Sequence, residues 1–344
     1  MTTPTIPAGN LYMNATLYTG NGTALTVTNG VAGQAFQPDF VWLKCRSDVT
    51  NHYWTDSVRG TTKQIYSNST ATEGTSGNIL TAFNSNGFSL GTDAEINGSG
   101  RTNVGWQWKA GGTAVTNTSG SISSQVSANT TSGFSIITYT GTGANATVGH
   151  GLGVAPYMMI IKERTTTARQ FAIYFAGFAA PTTSYIYFNT TGVGTGYGGF
   201  WNSTAPTSSV FSIGSDPTTN ESTVPYVAYC FAPIAGYSAF GSYTGNGSTD
   251  GTFVYLGFRP RFIMVKCSSD VASWWVYDSS RNTYNAVDLG LIPNATNTDT
   301  SGYPLDFLSN GIKFRNSNGD FNGSGRTYIY MAFAENPFKY ANAR

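Results

Sequence analysis

The feature that most constrains this chain is a threefold internal repeat. The sequence Tyr18-Thr19-Gly20-Asn21-Gly22 recurs, with one change, at residues 139–143 and again unchanged at residues 243–247. Each copy is followed by an apolar run that begins with Pro and ends with Lys, at Lys44, Lys162 and Lys266. These lysines lie about 110 residues apart, which is far longer than the roughly 20 to 50 residues of a solenoid repeat. The pattern therefore predicts three similar small domains on one chain.

The composition indicates a weakly charged surface rich in turns. Only 10% of the 344 residues are charged, against a usual ~25%, while 41 are Gly and 14% are aromatic. The formal net charge is +1 and no dense Lys/Arg cluster is present. Because duplex binding requires several phosphates to be neutralised together, nucleic acid is not expected as a partner.

The chain begins without the features of an export signal. Residues 1–6 have neither a basic n-region nor an apolar h-region. No stretch approaches the roughly 20 consecutive apolar residues of a membrane helix. We therefore expect a chain that is made in the cytosol, stays soluble and inserts into no membrane.

Short apolar runs separated by Gly, Asn, Pro and Ser predict strands and turns, with almost no helical periodicity. In the first copy the predicted strands are residues 11–18, 40–45, 52–56, 63–66, 79–83, 87–90 and 102–108. Asn86-Gly87 predicts a hairpin turn, because this dipeptide tolerates the positive φ of a type I′ turn. Six or seven short strands in each ~100 residues predict an all-β fold of three tandem antiparallel β-sandwich, jelly-roll-like repeats.

Composition changes along the chain suggest the domain boundaries. The predicted β-sandwich repeats are residues 1–112, 133–235 and 236–344. Residues 113–132, rich in Gly, Ser, Thr and Asn, form a predicted connector that is either flexible or strand-forming through Ile122 and Val126. The second junction, residues 232–241, is short and apolar. We therefore expect the last two repeats to pack closely and the first to be more independent.

The sequence offers little material for a metal site or a nucleophilic triad. Its two histidines, His52 and His150, lie in different copies with no Cys or His at ligand spacing. Cys45 and Cys267 occupy the same place in two copies, so all three cysteines are expected to be buried thiols rather than disulfides. We predict no catalytic residue, no metal ligand and no cofactor.

Paired carboxylates could still support catalysis, since a glycosidase needs two of them roughly 5 to 9.5 Å apart. The candidates are Asp56, Asp93, Glu95, Asp278 and Asp320. Residues 56–59 (DSVR) match residues 278–281 (DSSR), and this spacing suits a local ion pair or a carboxylate bonded to backbone amides in a turn. Because the second copy has Phe175 at the same place, we interpret the motif as structural.

A second motif suggests where a ligand could bind. Residues 95–102 (EINGSGRT) match residues 320–327 (DFNGSGRT), where Asn-Gly-Ser-Gly must turn sharply before Arg opens the last strand. Such a loop either offers amides and a guanidinium to a sugar or a metal ion, or is a tight connection whose Arg pairs with a neighbouring acid. Aromatic residues near loops could stack on sugar rings or anchor an interface, or they could pack in the core. The candidate binding residues are Asn97, Ser99, Arg101, Trp201, Asn322, Ser324, Arg326 and Trp274.

Four strings carry a resemblance to a known family. They are residues 36–44 (FQPDFVWLK), 97–100 (NGSG), 149–152 (GHGL) and 334–340 (AENPFKY). The chain resembles repeated β-domain virion structural proteins of tail-fibre type from tailed bacteriophages, especially marine phages and cyanophages. The resemblance covers essentially the whole chain and implies a structural role on the particle. It implies no catalytic or receptor-binding residues.

Together these observations favour a non-enzymatic phage virion structural protein. We expect a tail fibre or tail-tip adhesin that displays β-domains for host attachment, is assembled in the host cytoplasm and is exposed on the particle surface. Its expected partners are other virion proteins and a host-surface glycan or protein receptor. Phage appendages have threefold or sixfold symmetry, so a homo-oligomer, either a trimer or a hexamer, is expected. The alternatives are a capsid decoration protein or head fibre, a polysaccharide depolymerase and a stand-alone lectin.

Overall fold

A computed structural model describes residues 9–30, 35–165 and 168–336. The outer ends of the first and third predicted repeats, and residues 337–340 of the C-terminal string, lie outside the described residues. The prediction of an all-β fold is confirmed, since the described residues form 26 strands with only two four-residue α-helices and one 3-10 turn. We name residues 9–112, 113–235 and 236–336 modules 1, 2 and 3.

The secondary structure follows the chain in order. Module 1 has a 3-10 turn at Gly9–Leu11, then β1 (Met13–Thr19), β2 (Leu25–Thr28), β3 (Phe40–Cys45), β4 (His52–Asp56), β5 (Lys63–Tyr66), β6 (Gly74–Thr75), β7 (Leu80–Asn84), β8 (Gly87–Leu90), α1 (Ala94–Asn97) and β9 (Thr102–Trp108). Module 2 has β10 (Val115–Asn117), β11 (Ser124–Asn129), β12 (Phe134–Thr140), β13 (Ala146–Gly149), β14 (Met158–Glu163), β15 (Ala172–Phe175), β16 (Tyr185–Tyr187), β17 (Val193–Gly194), β18 (Val210–Ile213), α2 (Pro217–Asn220) and β19 (Pro225–Phe231). Module 3 has β20 (Ser238–Thr244), β21 (Phe253–Tyr255), β22 (Pro260–Cys267), β23 (Trp274–Asp278), β24 (Leu305–Leu308), β25 (Gly311–Phe314) and β26 (Thr327–Ala334).

Each module contributes one larger and one smaller antiparallel sheet. The larger sheets have the orders β1-β9-β3-β4-β5-β6, β10-β11-β12-β19-β14-β15-β16-β17 and β20-β26-β22-β23. The smaller sheets have the orders β2-β8-β7, β13-β18 and β21-β25-β24. Each larger sheet contains four consecutive strands in the same order, which are β1-β9-β3-β4, β12-β19-β14-β15 and β20-β26-β22-β23. The sequence repeat is therefore also a repeat of sheet topology.

The strand that carries the repeated lysine, β3, β14 or β22, lies inside each larger sheet, and β3 and β14 are buried over their whole length. Its side chains alternate between two cores, because successive residues of a strand point to opposite faces. In β3, Val41 and Leu43 face the smaller sheet of module 1, whereas Phe40 and Trp42 face modules 2 and 3. Both faces of this strand are therefore covered.

The inner faces of all three larger sheets pack together in one central core, to which each module contributes aromatic and aliphatic residues. Phe40 of module 1 lies 4.8 Å from Tyr229 of module 2, and Trp108 lies 5.4 Å from Phe262 of module 3, measured between ring centroids. The expectation that the first repeat is more independent is therefore wrong. The aromatic inner face of module 1 is covered only by the other two modules, so leaving it exposed would cost the free energy of burying several Trp side chains.

The predicted connector forms strands. Within residues 113–132, β10 pairs with β11, and β11 pairs with β12 from Gln125 to Asn129. Ile122 also bridges to Val148. Of the two alternatives for this segment, the strand-forming one describes the structure.

A ring of three lysines links the modules in cyclic order. Each lysine is fully buried, and its Nζ donates to a threonine carbonyl of the neighbouring module. The bonds are Lys44 to Thr296 at 3.2 Å, Lys162 to Thr70 at 3.1 Å and Lys266 to Thr191 at 3.2 Å. Burial lowers the pKa of each lysine to about 8. Module 1 thus binds module 3, module 3 binds module 2 and module 2 binds module 1, which is a pseudo-threefold arrangement within one chain.

The acceptors of this ring belong to a triplet that is also repeated. Each threonine ends an Asn-x-Thr sequence. The Asn side chain accepts a hydrogen bond from a backbone N–H at the start of the fourth strand of the common order, β4, β15 or β23. The N–H groups of His52, Phe171 and Trp274 donate to Asn68, Asn189 and Asn294, respectively. The Asn fixes the loop, and the loop then presents its carbonyl to the lysine of the next module.

Candidate functional site

Two of the predicted binding residues, Asn97 and Asn322, are buried and hold turns together. The Asn97 side chain accepts from the backbone of Asn21 at 3.0 Å and donates to the carbonyls of Thr23 and Gly91 at 2.6 Å. Asn322 makes the matching bonds in module 3, with Asn246 N–H at 3.0 Å. These amides have no free donor for a ligand, and their role here is to dock the turn after the first strand onto the turn before the last.

The neighbouring predicted residues, Ser99, Arg101, Ser324 and Arg326, lie on the outside of these turns. Both serines are exposed. Arg101 pairs with Asp48 at 2.6 Å and Arg326 with Asp270 at 2.8 Å, each about one-third exposed at the arginine. The pairing of the arginine with a neighbouring acid is the second of the two alternatives considered for this motif.

Module 2 keeps the same turn with different residues. Asn220 accepts from Thr142 N–H at 2.7 Å and donates to the carbonyls of Ala144 and Gly214, as Asn97 does in module 1. Thr223 has a φ of 68°, where Gly100 and Gly325 have 76° and 72°. A β-branched residue is rarely found in this left-handed region, so the turn geometry is kept at the cost of local strain.

The remaining candidates, Trp201 and Trp274, are core residues. Trp201 is fully buried, and its Nε1 donates to the carbonyl of Ser184 at 3.2 Å. Trp274 lies in the central core, stacked on Phe188 of module 2 at 4.9 Å, and its Nε1 donates to the carbonyl of Tyr187. The structure brings neither side chain to the surface.

The exposed turns of each module lie at the end of its larger sheet that carries the ring lysine, and the three ring lysines link the modules. We name these turns together the turn face. It consists of residues 21–23, 48–49 and 98–101 in module 1, 142–144 and 221–223 in module 2, and 246–248, 270–271 and 323–326 in module 3. In each larger sheet these turns adjoin the end that carries the ring lysine, since Lys44 pairs with Val104 near the start of β9. The segments that join the modules, residues 109–133 and 232–237, follow the opposite ends of β9 and β19. We name that opposite end the linker end.

The candidate acids are engaged in structural contacts. Asp93 caps α1 by accepting from Glu95 N–H at 2.9 Å, and Glu95 accepts from the Tyr53 hydroxyl at 2.7 Å. Asp320 accepts from Trp275 Nε1 at 2.9 Å. Asp56 and Asp278 are fully buried at the junctions between modules.

At the junction of modules 1 and 2, Asp56 belongs to a network of five residues, which we name network 1/2. Arg59 pairs with Asp56 at 2.6 Å and with Glu73 at 2.9 Å, and Arg164 of module 2 also pairs with Glu73 at 2.9 Å. Tyr229 of module 2 donates its hydroxyl to Asp56 at 2.8 Å. Burial alone would raise the pKa of Glu73, but the hydrogen bonds from Arg164 and the charge of Arg59 outweigh it and lower that pKa.

The junction of modules 3 and 1 repeats this arrangement as network 3/1. Arg281 pairs with Asp278 at 2.6 Å and with Asp299 at 2.9 Å, and Arg46 of module 1 pairs with Asp299 at 2.8 Å. Trp106 of module 1 donates its Nε1 to Asp278 at 3.0 Å. The sequence predicted either a local ion pair or a carboxylate bonded to backbone amides for the two DSxR motifs. In both, the aspartate pairs with the arginine and also accepts backbone N–H groups of the turn, so both alternatives are present.

The junction of modules 2 and 3 has none of these charges. The equivalent positions are occupied by Phe175, Phe178, Gly194, Ser268 and Met331. Phe175 and Phe178 are in ring contact at 5.5 Å, and Tyr157 and Phe231 of module 2 lie 6.0 and 6.2 Å from Phe240 of module 3. All five positions of the network change together at this junction.

A cavity of about 220 Å³ opens where the charged side chains are replaced, and we name it the junction cleft. Its lining includes Phe178, Tyr185, Ile186, Ser268, Ser269 and Thr327. Ser269 and Thr327 adjoin the turns of module 3, so the cleft opens at the turn face. Sequence reasoning missed this site, although Ser268 at the place of Arg46 and Arg164 was visible.

Cys45, Cys230 and Cys267 are buried free thiols, as predicted. Within residues 9–30, 35–165 and 168–336, no group of three His, Cys, Asp or Glu side chains is placed to hold a metal ion. The same residues contain no helix long and apolar enough to cross a bilayer.

The fold and its junctions define an all-β protein of three modules around a shared core. Comparison with protein families identifies one that matches residues 8–337 and is described as a domain of unknown function, DUF7483. The chain therefore belongs to this family. No curated protein matches the chain.

Proposed function

We propose that this chain is a non-enzymatic phage virion structural protein, a tail fibre or tail-tip adhesin, that presents its turn face to the host surface. In this proposal the three modules are tandem copies of one jelly-roll-like β-sandwich. The observation that carries it is the polarity of the molecule. Three equivalent sets of exposed turns adjoin the lysine ends of the larger sheets, and the segments that connect the modules follow the opposite strand ends.

The chemistry of the turn face suits adhesion by many weak contacts. Its exposed groups include the apolar side chains of Val49 and Val271, the hydroxyls of Ser99, Ser222 and Ser324, and two half-exposed Arg–Asp pairs. Each turn is fixed by a buried Asn, so little conformational entropy is lost when a ligand binds. Three such sites on one rigid chain add avidity without requiring any one of them to be strong.

The use of the acids supports a role without turnover. The five candidate carboxylates accept hydrogen bonds from neighbouring backbone or side-chain donors, and Asp56 and Asp278 are closed off in the junctions. Depolymerase activity would require two carboxylates facing a bound sugar from an open cleft. Depolymerase activity would therefore contradict the proposal.

The proposed assembly is a trimer or hexamer of this chain with other virion proteins. Module 3 offers the most exposed aromatic side chains, with Tyr284 83% exposed, Tyr255 63% and Phe253 43%. Exposed aromatic residues are enriched in protein interfaces, so these are the proposed contacts between subunits.

The test of this proposal measures attachment. Purified protein carrying Ser99→Trp, Ser222→Trp and Ser324→Trp, singly and together, is assayed for binding to host cells. We expect each single change to weaken binding several-fold and the triple variant to abolish it. Thr131→Trp, on the exposed β11–β12 turn at the linker end, is the matched control and is expected to bind normally.

Two outcomes would overturn the proposal. One is host-cell binding that the triple variant leaves unchanged. The other is release of new reducing ends from host envelope glycans, abolished by Asp56→Asn or Asp278→Asn.

Immunogold labelling of intact particles tests the place of the protein on the particle. Label confined to the head would favour a capsid decoration protein or head fibre over the adhesin.

A further inference from the structure

The junction cleft results from a specific replacement of side chains. At the other two junctions an arginine two residues beyond the ring lysine, Arg46 or Arg164, meets the acid three residues beyond the ring threonine, Asp299 or Glu73. At the junction of modules 2 and 3, Ser268 replaces this arginine and Gly194 replaces this acid. Ser268 and Gly194 are much shorter than the arginine and the acid of the other junctions. The Tyr185 ring covers Gly194 and takes the place of a side chain there, and the volume that remains between this ring and Ser268 is the cleft.

The lining of the cleft has one apolar wall and a hydroxyl-bearing rim. Phe178, Tyr185 and Ile186 of module 2 form the apolar wall. The rim comprises Ser268, Ser269 and Thr327 of module 3 together with Thr195 of module 2, and both threonines are exposed. None of the residues that line the cleft carries a charge at neutral pH. A charged ligand would be desolvated there without a partner, which is unfavourable.

We propose that the junction cleft binds one neutral sugar ring of a glycan. A pyranose has an apolar C–H face and hydroxyls around its edge, which match the aromatic wall and the Ser/Thr rim. The cavity of about 220 Å³ is smaller than the roughly 300 to 1,000 Å³ pockets of drug-sized ligands, so it holds one ring rather than an oligosaccharide or a peptide. This inference rests on the proposed attachment role and names the ligand class and the place where it binds.

The chain provides a matched pair of positions for the test. Thr327 and Thr102 are both the exposed first residues of the last strand of their module. The backbone N–H of each donates to a serine hydroxyl, from Thr327 to Ser269 at 2.9 Å and from Thr102 to Ser47 at 3.1 Å. Thr327 borders the cleft, whereas Thr102 borders the junction closed by network 3/1. Tryptophan at the two positions therefore differs mainly in whether it fills the cleft.

The experiment is saturation-transfer NMR on the full chain with neutral methyl glycosides of glucose, galactose, mannose and N-acetylglucosamine, and with an anionic methyl sialoside as the charged comparison. We expect saturation transfer to at least one glycoside, reduced tenfold or more by Thr327→Trp and by Ser268→Met and unchanged by Thr102→Trp. Ser268→Met is a second route to a filled cleft, since it places a long uncharged side chain where the other junctions have an arginine. Both variants are first compared with the parent by thermal unfolding.

The result that would overturn the inference is transfer to none of the four glycosides, equal transfer in all variants, or transfer only to an anionic methyl sialoside. If the glycosides fail while the triple serine variant still loses host-cell binding, only the sugar site is wrong. If the glycosides bind and the parent protein does not bind host cells, the attachment role is wrong and the sugar site remains.

Discussion

The three junctions between modules are built from equivalent positions but fall into two kinds. Junctions 1/2 and 3/1 each bury an Asp–Arg pair that extends through a second acid to an arginine of the adjoining module. Junction 2/3 has Phe175, Phe178 and Met331 in the corresponding core positions and a cavity where the outer ion pair would be. The lysine ring is the same at all three. The three junctions therefore share the lysine ring and differ in the five network positions.

This difference indicates that the network positions act as a unit. Keeping an arginine without its acid would leave a buried charge unpaired, at a cost of about 3 to 5 kcal/mol, whereas replacing the whole pair by apolar residues is often neutral. A junction that has Phe175 in place of the Asp is thus expected to lack the Arg and the side-chain hydrogen-bond donor as well, and it has Phe178 and Met331 at those positions. The sequence shows all of these changes at one junction and none at the others.

The largest expected effect comes from removing one member of a network. Arg59→Met leaves Asp56 buried without its ion pair, and we expect the free energy of unfolding to fall by about 3 to 5 kcal/mol in urea titration. Arg101→Met, which breaks a half-exposed pair on the turn face, is the control and should cost at most about 1 kcal/mol. Equal losses from the two variants would show that the buried networks are no stronger than surface pairs.

The lysine ring predicts a pH dependence that all three junctions share. The pKa of Lys44 in the folded chain is about 8, below its ordinary value of 10.5. Between these pH values the unfolded chain binds more protons than the folded chain, so the free energy of unfolding rises with pH. Each lysine contributes about 1.4 kcal/mol per pH unit in this window.

Lys44→Met removes one such contribution. Measured by denaturant titration, the free energy of unfolding of the parent minus that of the variant should rise from pH 8 towards 10 and stay level below pH 8. A pH-independent difference for Lys44→Met would contradict the account of the ring.

The smallest expected effect concerns the turn that distinguishes module 2. Thr223 adopts a positive φ where the other modules have glycine. Thr223→Gly should therefore raise the free energy of unfolding by about 1 kcal/mol, and Gly325→Thr should lower it by a similar amount, both measured by thermal unfolding. A destabilising Thr223→Gly would mean that the threonine side chain contributes more than its backbone strain costs.

The sequence predicted the strands well because their signals are local. Apolar runs and Asn-Gly turns located β3, β4, β5 and β8 at the bounds that the structure shows. It also predicted the Asp56–Arg59 ion pair from a three-residue spacing. The short β2 and β6 were not predicted, since half-exposed strands of two to four residues lack a clear alternation.

Contacts between modules were not predictable in the same way, because they depend on which faces meet in the folded chain. Nothing local marks Thr296 as the acceptor of Lys44, or Tyr229 as the donor to Asp56, across more than 170 residues. Asn220 was missed because its turn lacks the Gly-Ser-Gly string, although an aspartate four residues earlier caps a helix there as Asp93 does in module 1. Aligning that Asp-x-x-x-Asn spacing would have located it.

The most direct test of the junction account exchanges the three core positions of junction 1/2 for those of junction 2/3 and leaves the outer Glu73–Arg164 pair in place. In junction 1/2, Asp56→Phe, Arg59→Phe and Tyr229→Met are made singly and together, and the free energy of unfolding is measured for all four proteins. We predict losses of about 3 to 5 kcal/mol for each of the first two single variants and less than about 2 kcal/mol for the triple variant. A triple variant whose loss equals the sum of the three single losses would contradict the claim that these positions act as a unit.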